Sequence, residues 1–203
     1  MTRPRRLSHE QVRAVLGEPG EVIKAKVRTR IDSHFHRFIA HSPFLCLATT
    51  DAAGYADCSP RGDYPGFVKV LDEHTLAIPD RLGNKLADSF TNIADNPGVG
   101  LIFLVPGHRE TLRVNGTAYA TDEPDVLARM QVEGKRPVLA TIVEVREAFM
   151  HCGRAVVRSR LWHAESQALA EEVPSLGQIV ADQLALDAAA VDADLEAAYK
   201  VLY

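Results

Sequence analysis

Four stretches of the chain carry side chains that could hold a small anionic ligand. The densest is Ile78-Pro79-Asp80-Arg81-Leu82-Gly83-Asn84-Lys85. A strand ends there, a glycine-containing turn follows, and the periodicity predicts a helix from about Asn84 to Ala94, with Leu86, Phe90 and Ile93 on one face. Free N–H groups and the positive end of the dipole make a helix start an anion site. Lys85 in that first turn opposes the dipole by about 0.3–1 kcal/mol at an exposed position. A bound phosphate turns this penalty into an attraction; without one, Lys85 is a solvated lysine on a short helix.

The second stretch, Cys58-Ser59-Pro60-Arg61-Gly62-Asp63, follows a strand and offers an arginine able to pair bidentately with phosphate. Its plainer reading is a Pro-Gly loop with a surface arginine. In the third, Arg109 to Gly116, a strand over Thr111–Val114 puts Thr111 and Arg113 on one face and Leu112 and Val114 on the other. The fourth, Met150 to Trp162, holds the single tryptophan, Arg154, Arg158, Arg160 and the pair His151-Cys152. Neighbours along a strand face opposite ways, which argues against a Cys-His nucleophile, and Trp162 reads as a core or interface anchor. No residue stands out as a general base. The histidines lack metal-ligand spacing, and no GxSxG elbow or HExxH helix occurs.

Other signals bound the function. With 23 basic against 27 acidic residues, the net charge of −4 excludes a nucleic-acid binder that works by bulk positive charge. The basic start, Met1 to Arg6, runs into His9, Glu10 and Arg13, so it is not a secretory signal, and no stretch reaches the ~20 apolar residues of a membrane helix. Three cysteines without a CxxC pair suggest reduced thiols and a cytoplasmic protein. Arg61-Gly62-Asp63 and Asn115-Gly116-Thr117 spell extracellular motifs by coincidence.

These groups need a scaffold. Ser8 to Gln11 fits a capping box opening a first helix, and Ile31, Phe35, Phe38 and Ile39 form the stripe of a second that ends at Ser42-Pro43. Phe44–Thr50 with Tyr55–Cys58, and Phe67–Leu71 with Thr75–Pro79, read as hairpins; Val99–Val105, Thr111–Ala120 and Val138–Val145 read as further strands. A short helix is expected around Asp125 to Val132, and one or two over Leu176 to Tyr203. Closely spaced strands with hairpin-length links predict a mainly β, α+β chain: one antiparallel barrel wrapped by helices.

Residues 30 to 162 resemble the pyridoxamine 5′-phosphate oxidase-related family of FMN-binding split β-barrels. The likeness rests on Ser59–Asp63, Pro65-Gly66-Phe67-Val68, Ile78-Pro79-Asp80-Arg81-x-Gly83-Asn84, Asn92-Ile93-x-x-Asn96-Pro97-x-Val99-Gly100-Leu101 and Glu110–Gly116. His151-Cys152-x-x-Ala155-x-x-Arg158-Ser159-x-Leu161-Trp162 continues it. With the helices read above, the chain divides into N-terminal helices over 1–42, a split barrel over 43–162 that the resemblance makes FMN-binding, and a helical tail over 163–203, all in one compact domain. The resemblance further implies a homodimer with FMN at the subunit interface and a flavin-dependent oxidoreductase acting on a small molecule. Within the same family, a non-catalytic flavin-binding or sensing protein and a deazaflavin-dependent reductase are the alternatives. By the same resemblance, Arg61 and the turn containing Arg81, Asn84 and Lys85 hold phosphate and ribityl chain. Ile78, Pro79 and Asp80 lie along the flavin, Arg113 faces ring or phosphate, and Arg158, Ser159 and Trp162 contribute from the C-terminal side. Two departures stand out: Asn84-Lys85 replaces the oxidase's Arg-Lys pair, and the helical tail replaces its C-terminal substrate-binding region.

Overall fold

The computed structural model describes Arg3–Tyr203; Met1 and Thr2, which open the basic start, lie outside it. Ser8 caps α1 (His9–Leu16) with the expected reciprocal box: its hydroxyl accepts from the Gln11 amide while the Gln11 side chain accepts from the Ser8 amide. A short α2 (Glu21–Ala25), absent from the sequence reading, precedes α3 (Ser33–His41), whose N-cap is Asp32. The stripe of α3 buries Phe35 and Ile39 in the core, and Ile31 joins them from the segment just before the helix.

Among the described residues seven strands then form one sheet: β1 (Phe44–Thr50), β2 (Ala56–Gly62), β3 (Lys69–Asp72), β4 (Thr75–Pro79), β5 (Gly98–Leu104), β6 (Thr111–Thr121) and β7 (Ala140–His151). Their order is β2-β1-β5-β6-β7-β4-β3, with every neighbouring pair antiparallel. The result is the mainly β, α+β split barrel that the strand spacing and the resemblance predict. Alternation decides the faces. Leu45, Leu47, Leu101, Phe103, Leu112 and Val114 point inward and are fully buried, whereas Cys46, Ile102, Arg113 and Phe149 form a register row across the outer face. Beside that row runs a second, Ala48, Gly100, Asn115 and Glu147.

The last strand differs most from expectation. Instead of stopping at Val145, β7 continues to His151 and pairs with β6 along its length. A bulge hides this continuation: Asn115 faces Glu147 while Gly116 faces Val145, leaving Arg146 as the extra residue. Arg146-Glu147 therefore breaks the apolar alternation without ending the strand. A Cβ on Gly116 would collide with the Glu144 carbonyl, so the bulge needs glycine there. The other long edge of β7 is covered piecewise. β4 pairs with its first half, the Val145 amide donates to His74 O at 2.8 Å, and Arg28 and Ala148 exchange amide bonds of 2.9 and 2.7 Å.

Helices complete the wrapping. α4 (Asp88–Asp95) packs on the barrel through Ser89 and Ile93, and Asn92 donates to Thr49 Oγ1 at 3.0 Å. α5 covers only Pro124–Ala128, shorter than the span to Val132, and seals a second apolar cluster of Ala77, Leu127, Met130 and Ile142. After β7 the chain forms α6 (Arg154–Ser159) and α7 (Ala164–Gln167), then α8 (Leu176–Leu184) and α9 (Ala188–Tyr199), which pair as a hairpin. Asp192 of α9 accepts from the Ser175 hydroxyl and the Gly177 amide at the start of α8. No described helix is long and apolar enough to cross a membrane.

Candidate ligand pocket

The ends of β2 and β4 open onto a cavity of about 800 Å³. Its walls are the β2 end at Arg61, the β4 end at Pro79 and Asp80, the loop Arg81–Ala87, the start of α4, the segment Lys135–Leu139, and Leu202 with Tyr203. Five cations line it (Arg61, Arg81, Lys85, Lys135 and Arg136) against three carboxylates (Asp57, Asp80 and Asp88), so its local field favours anions although the whole chain is acidic.

The loop corrects the expected helix start. Lys85 and Ala87 both adopt left-handed φ, +62° and +61°, and Asn84 Oδ1 accepts from the Leu86 amide at 3.1 Å. A side chain in that region costs about 1–2 kcal/mol, so the helix cannot propagate back through Lys85 and starts at Asp88. The first-turn charge is thus acidic Asp88, which suits the dipole, while Lys85 stands on the loop with its side chain exposed. Leu86, expected on the apolar face, is also exposed.

Arg61 is partly buried in the wall of the cavity. Its guanidinium sits 6.0 Å from the Phe90 ring centroid, Nη1 is 3.5 Å from Asp80 Oδ1, and its buried Nε has no hydrogen-bond partner among the described residues. An orphaned donor of this kind costs about 1–3 kcal/mol, while the rest of the guanidinium stays partly exposed to the cavity. Burial raises the Asp80 carboxyl above its ordinary value of 3.8 despite the opposing pull of Arg61.

Arg81 is committed elsewhere. Its Nε donates to Asp63 Oδ2 at 2.5 Å and its Nη2 to Met130 O at 2.9 Å. The Asp63 side chain is 1% exposed and also accepts from the Tyr64 amide at 2.7 Å and the Tyr203 hydroxyl at 2.5 Å. Burial pushes this carboxyl up, but the three donors outweigh it and hold it below 3.8. On the phenol, burial and the Asp63 carboxylate act together and raise Tyr203 to about 12.

The expected site residues thus fall into two groups. Arg61, Pro79, Asp80, Arg81, Asn84 and Lys85 all border the cavity, while Ile78 lies beneath it in the core. Arg113, Arg158, Ser159 and Trp162 do not border it in this chain. Arg113 lies on the outer sheet face, 5.6 Å from the Phe149 centroid, with Nε donating to Asn115 Oδ1. Arg158 and Ser159 are in α6, and Trp162 Nε1 donates to His108 O at 2.8 Å. Sequence reasoning missed Lys135, Arg136 and Tyr203. The first two stand as a basic pair before Pro137, a legible if faint signal; Tyr203 gave none.

A family model described as pyridoxamine 5′-phosphate oxidase matches residues 31–152, well over half of the chain. No curated protein matches it. Solved structures similar to the chain include HupZ from Group A Streptococcus (20% identity, 59% of this chain and 93% of that one, TM-score 0.49). A putative pyridoxamine 5′-phosphate oxidase from Lactobacillus delbrueckii shares 22% identity over 60% and 95% of the two chains, TM-score 0.46. An FMN-binding protein from Syntrophomonas wolfei shares 11% over 56% and 80%, TM-score 0.44.

Proposed function

This chain belongs to the pyridoxamine 5′-phosphate oxidase family, and from that premise we propose that it is an FMN-binding oxidoreductase acting on a small molecule. The guanidinium of Arg61, partly exposed on the wall of a cation-lined cavity and held there by one 3.5 Å ion pair, is the observation that carries the reading. A volume of about 800 Å³ falls within the range of cofactor pockets, roughly 300–1,000 Å³. Arg61 would take the phosphate, with Lys85, Lys135 and Arg136 adding positive charge around it. Asp80 keeps Arg61 aimed across the cavity until an anion arrives. Bound FMN supplies the hydride chemistry; the residues of this chain bind and orient it.

A second copy of the chain completes the site in this reading. Phe44, Ile102 and Phe149 put apolar surface on the outer sheet face, around a polar group in which Asn115 accepts from Arg113 and donates to Glu147 at 2.6 Å. Stacked on its twin, that face would bring the partner's copies of Arg113 and of the α6 region toward the cavity.

The test is a titration with FMN and with riboflavin, followed by flavin fluorescence. Arg61→Ala should weaken FMN about 30-fold or more, the loss of a charge-assisted phosphate pair of about 2–3 kcal/mol, and leave riboflavin almost unchanged. Equal losses for both ligands would contradict the phosphate assignment. Reduced flavin that no acceptor reoxidises would leave a binding protein in place of an enzyme.

A further inference from the structure

The helical tail ends its course on the pocket. α9 buries none of its residues; Asp192 ties it to α8, and the residues that follow it reach the pocket. Lys135 Nζ donates to the Tyr203 main-chain oxygen at 2.7 Å, and the Tyr203 ring stacks on Tyr64, centroids 6.4 Å apart at 12°. The Arg81 guanidinium lies 5.4 Å from the same ring, and the hydroxyl donates to the buried Asp63 carboxylate. Tyr203 therefore touches three separate pieces of the chain: the residues just after β2, the loop after β4 and the segment before β7. Leu202 and Tyr203 border the cavity without filling it.

We propose that Tyr203 is a positioning residue and the tail a wall of the ligand pocket: its hydroxyl fixes Asp63, Asp63 fixes Arg81, and together they slow the escape of a phosphorylated ligand. This rests on the flavin reading for the ligand, but not for the latch itself. Asp63 has one geometry that serves Arg81, Tyr64 and Tyr203 at once, so loss of any donor loosens the others. A wall held this way changes dissociation more than association.

Two measurements on the full chain decide it. Tryptic cleavage after Lys200, followed by mass spectrometry without flavin, reads the latch. It should accelerate several-fold in Tyr203→Phe and in Asp63→Asn. Stopped-flow fluorescence with FMN reads the wall: Tyr203→Phe should raise the dissociation rate about tenfold with association within about twofold. Tyr203→Ala should go further, and Tyr203→Phe should add little on top of Asp63→Asn. Because Tyr203→Phe keeps the ring, a purely space-filling tyrosine would leave both rates unchanged, which overturns the proposal. Tighter FMN binding by Tyr203→Ala would overturn it too, making the tail a plug. Wild-type protein that binds no FMN would sink the flavin reading and the wall with it, while unchanged cleavage in Tyr203→Phe would separately sink the latch.

Discussion

Asp63 and Asp80 are two carboxylates on one pocket, pulled in opposite directions. Asp63 is held below 3.8 by its donors, so its contribution is complete above that value and is lost as pH falls through the lower folded value. Burial raises Asp80, so its folded form prefers the proton; that preference stabilises below 3.8 and fades as pH rises through the raised value. Asp63→Asn should therefore destabilise by about 3 kcal/mol at neutral pH, because it strands the largely buried Arg81. In thermal melts across pH, the gap from wild type should close in acid below 3.8. A gap independent of pH would mean that shape, not charge, makes Asp63 matter. At this scale the sequence was partly legible. Arg61 stood out because an arginine between proline and glycine has a recognisable chemistry, although β2 runs through it to Gly62 where the sequence suggested a loop after the strand. Asp63 did not, because its importance comes from burial beside residues 18 and 140 positions away.

Among elements, hairpins were the most readable, since β1 and β2 carry their register in their own alternation and turn. What local pattern could not reveal was decided by backbone conformation and by partners. The left-handed residues Lys85 and Ala87 delay α4, although the apolar periodicity runs straight through them. The bulge opposite Gly116 extends β7 through a stretch whose charges look like a strand end. Gly116→Ala should force the β6–β7 ladder apart and cost about 3 kcal/mol, at the upper end of overpacking penalties. Chemical denaturation would show it as a lower midpoint. An unchanged midpoint would mean that the ladder reshapes itself around the methyl group.

For the molecule as a whole, the proposed second copy of the chain would account for the split among the expected site residues. Arg61 and the Arg81–Ala87 loop border the cavity, whereas Arg113 and Trp162 lie elsewhere on the same chain. Ile102→Lys, placed directly opposite Arg113 in the outer row, should yield a monomer in analytical ultracentrifugation and weaken FMN by more than tenfold, two like charges forced side by side into the contact being enough to prevent association. A monomer that still bound FMN as tightly as wild type would show that one chain suffices. The separation of Arg113 and Trp162 from the cavity was beyond local sequence signals, because it depends on how distant strands and helices are placed around the barrel.

The amide exchange between Arg28 and Ala148 also has a consequence for cutting the chain. Among the described residues, no other backbone pairs with the far half of β7 on that side. A protein started after Arg28 would keep its barrel strands yet present bare main-chain donors and acceptors along that margin. Such a fragment should gather into thioflavin-positive aggregates during refolding, and supplying the missing peptide in trans should keep it dispersed.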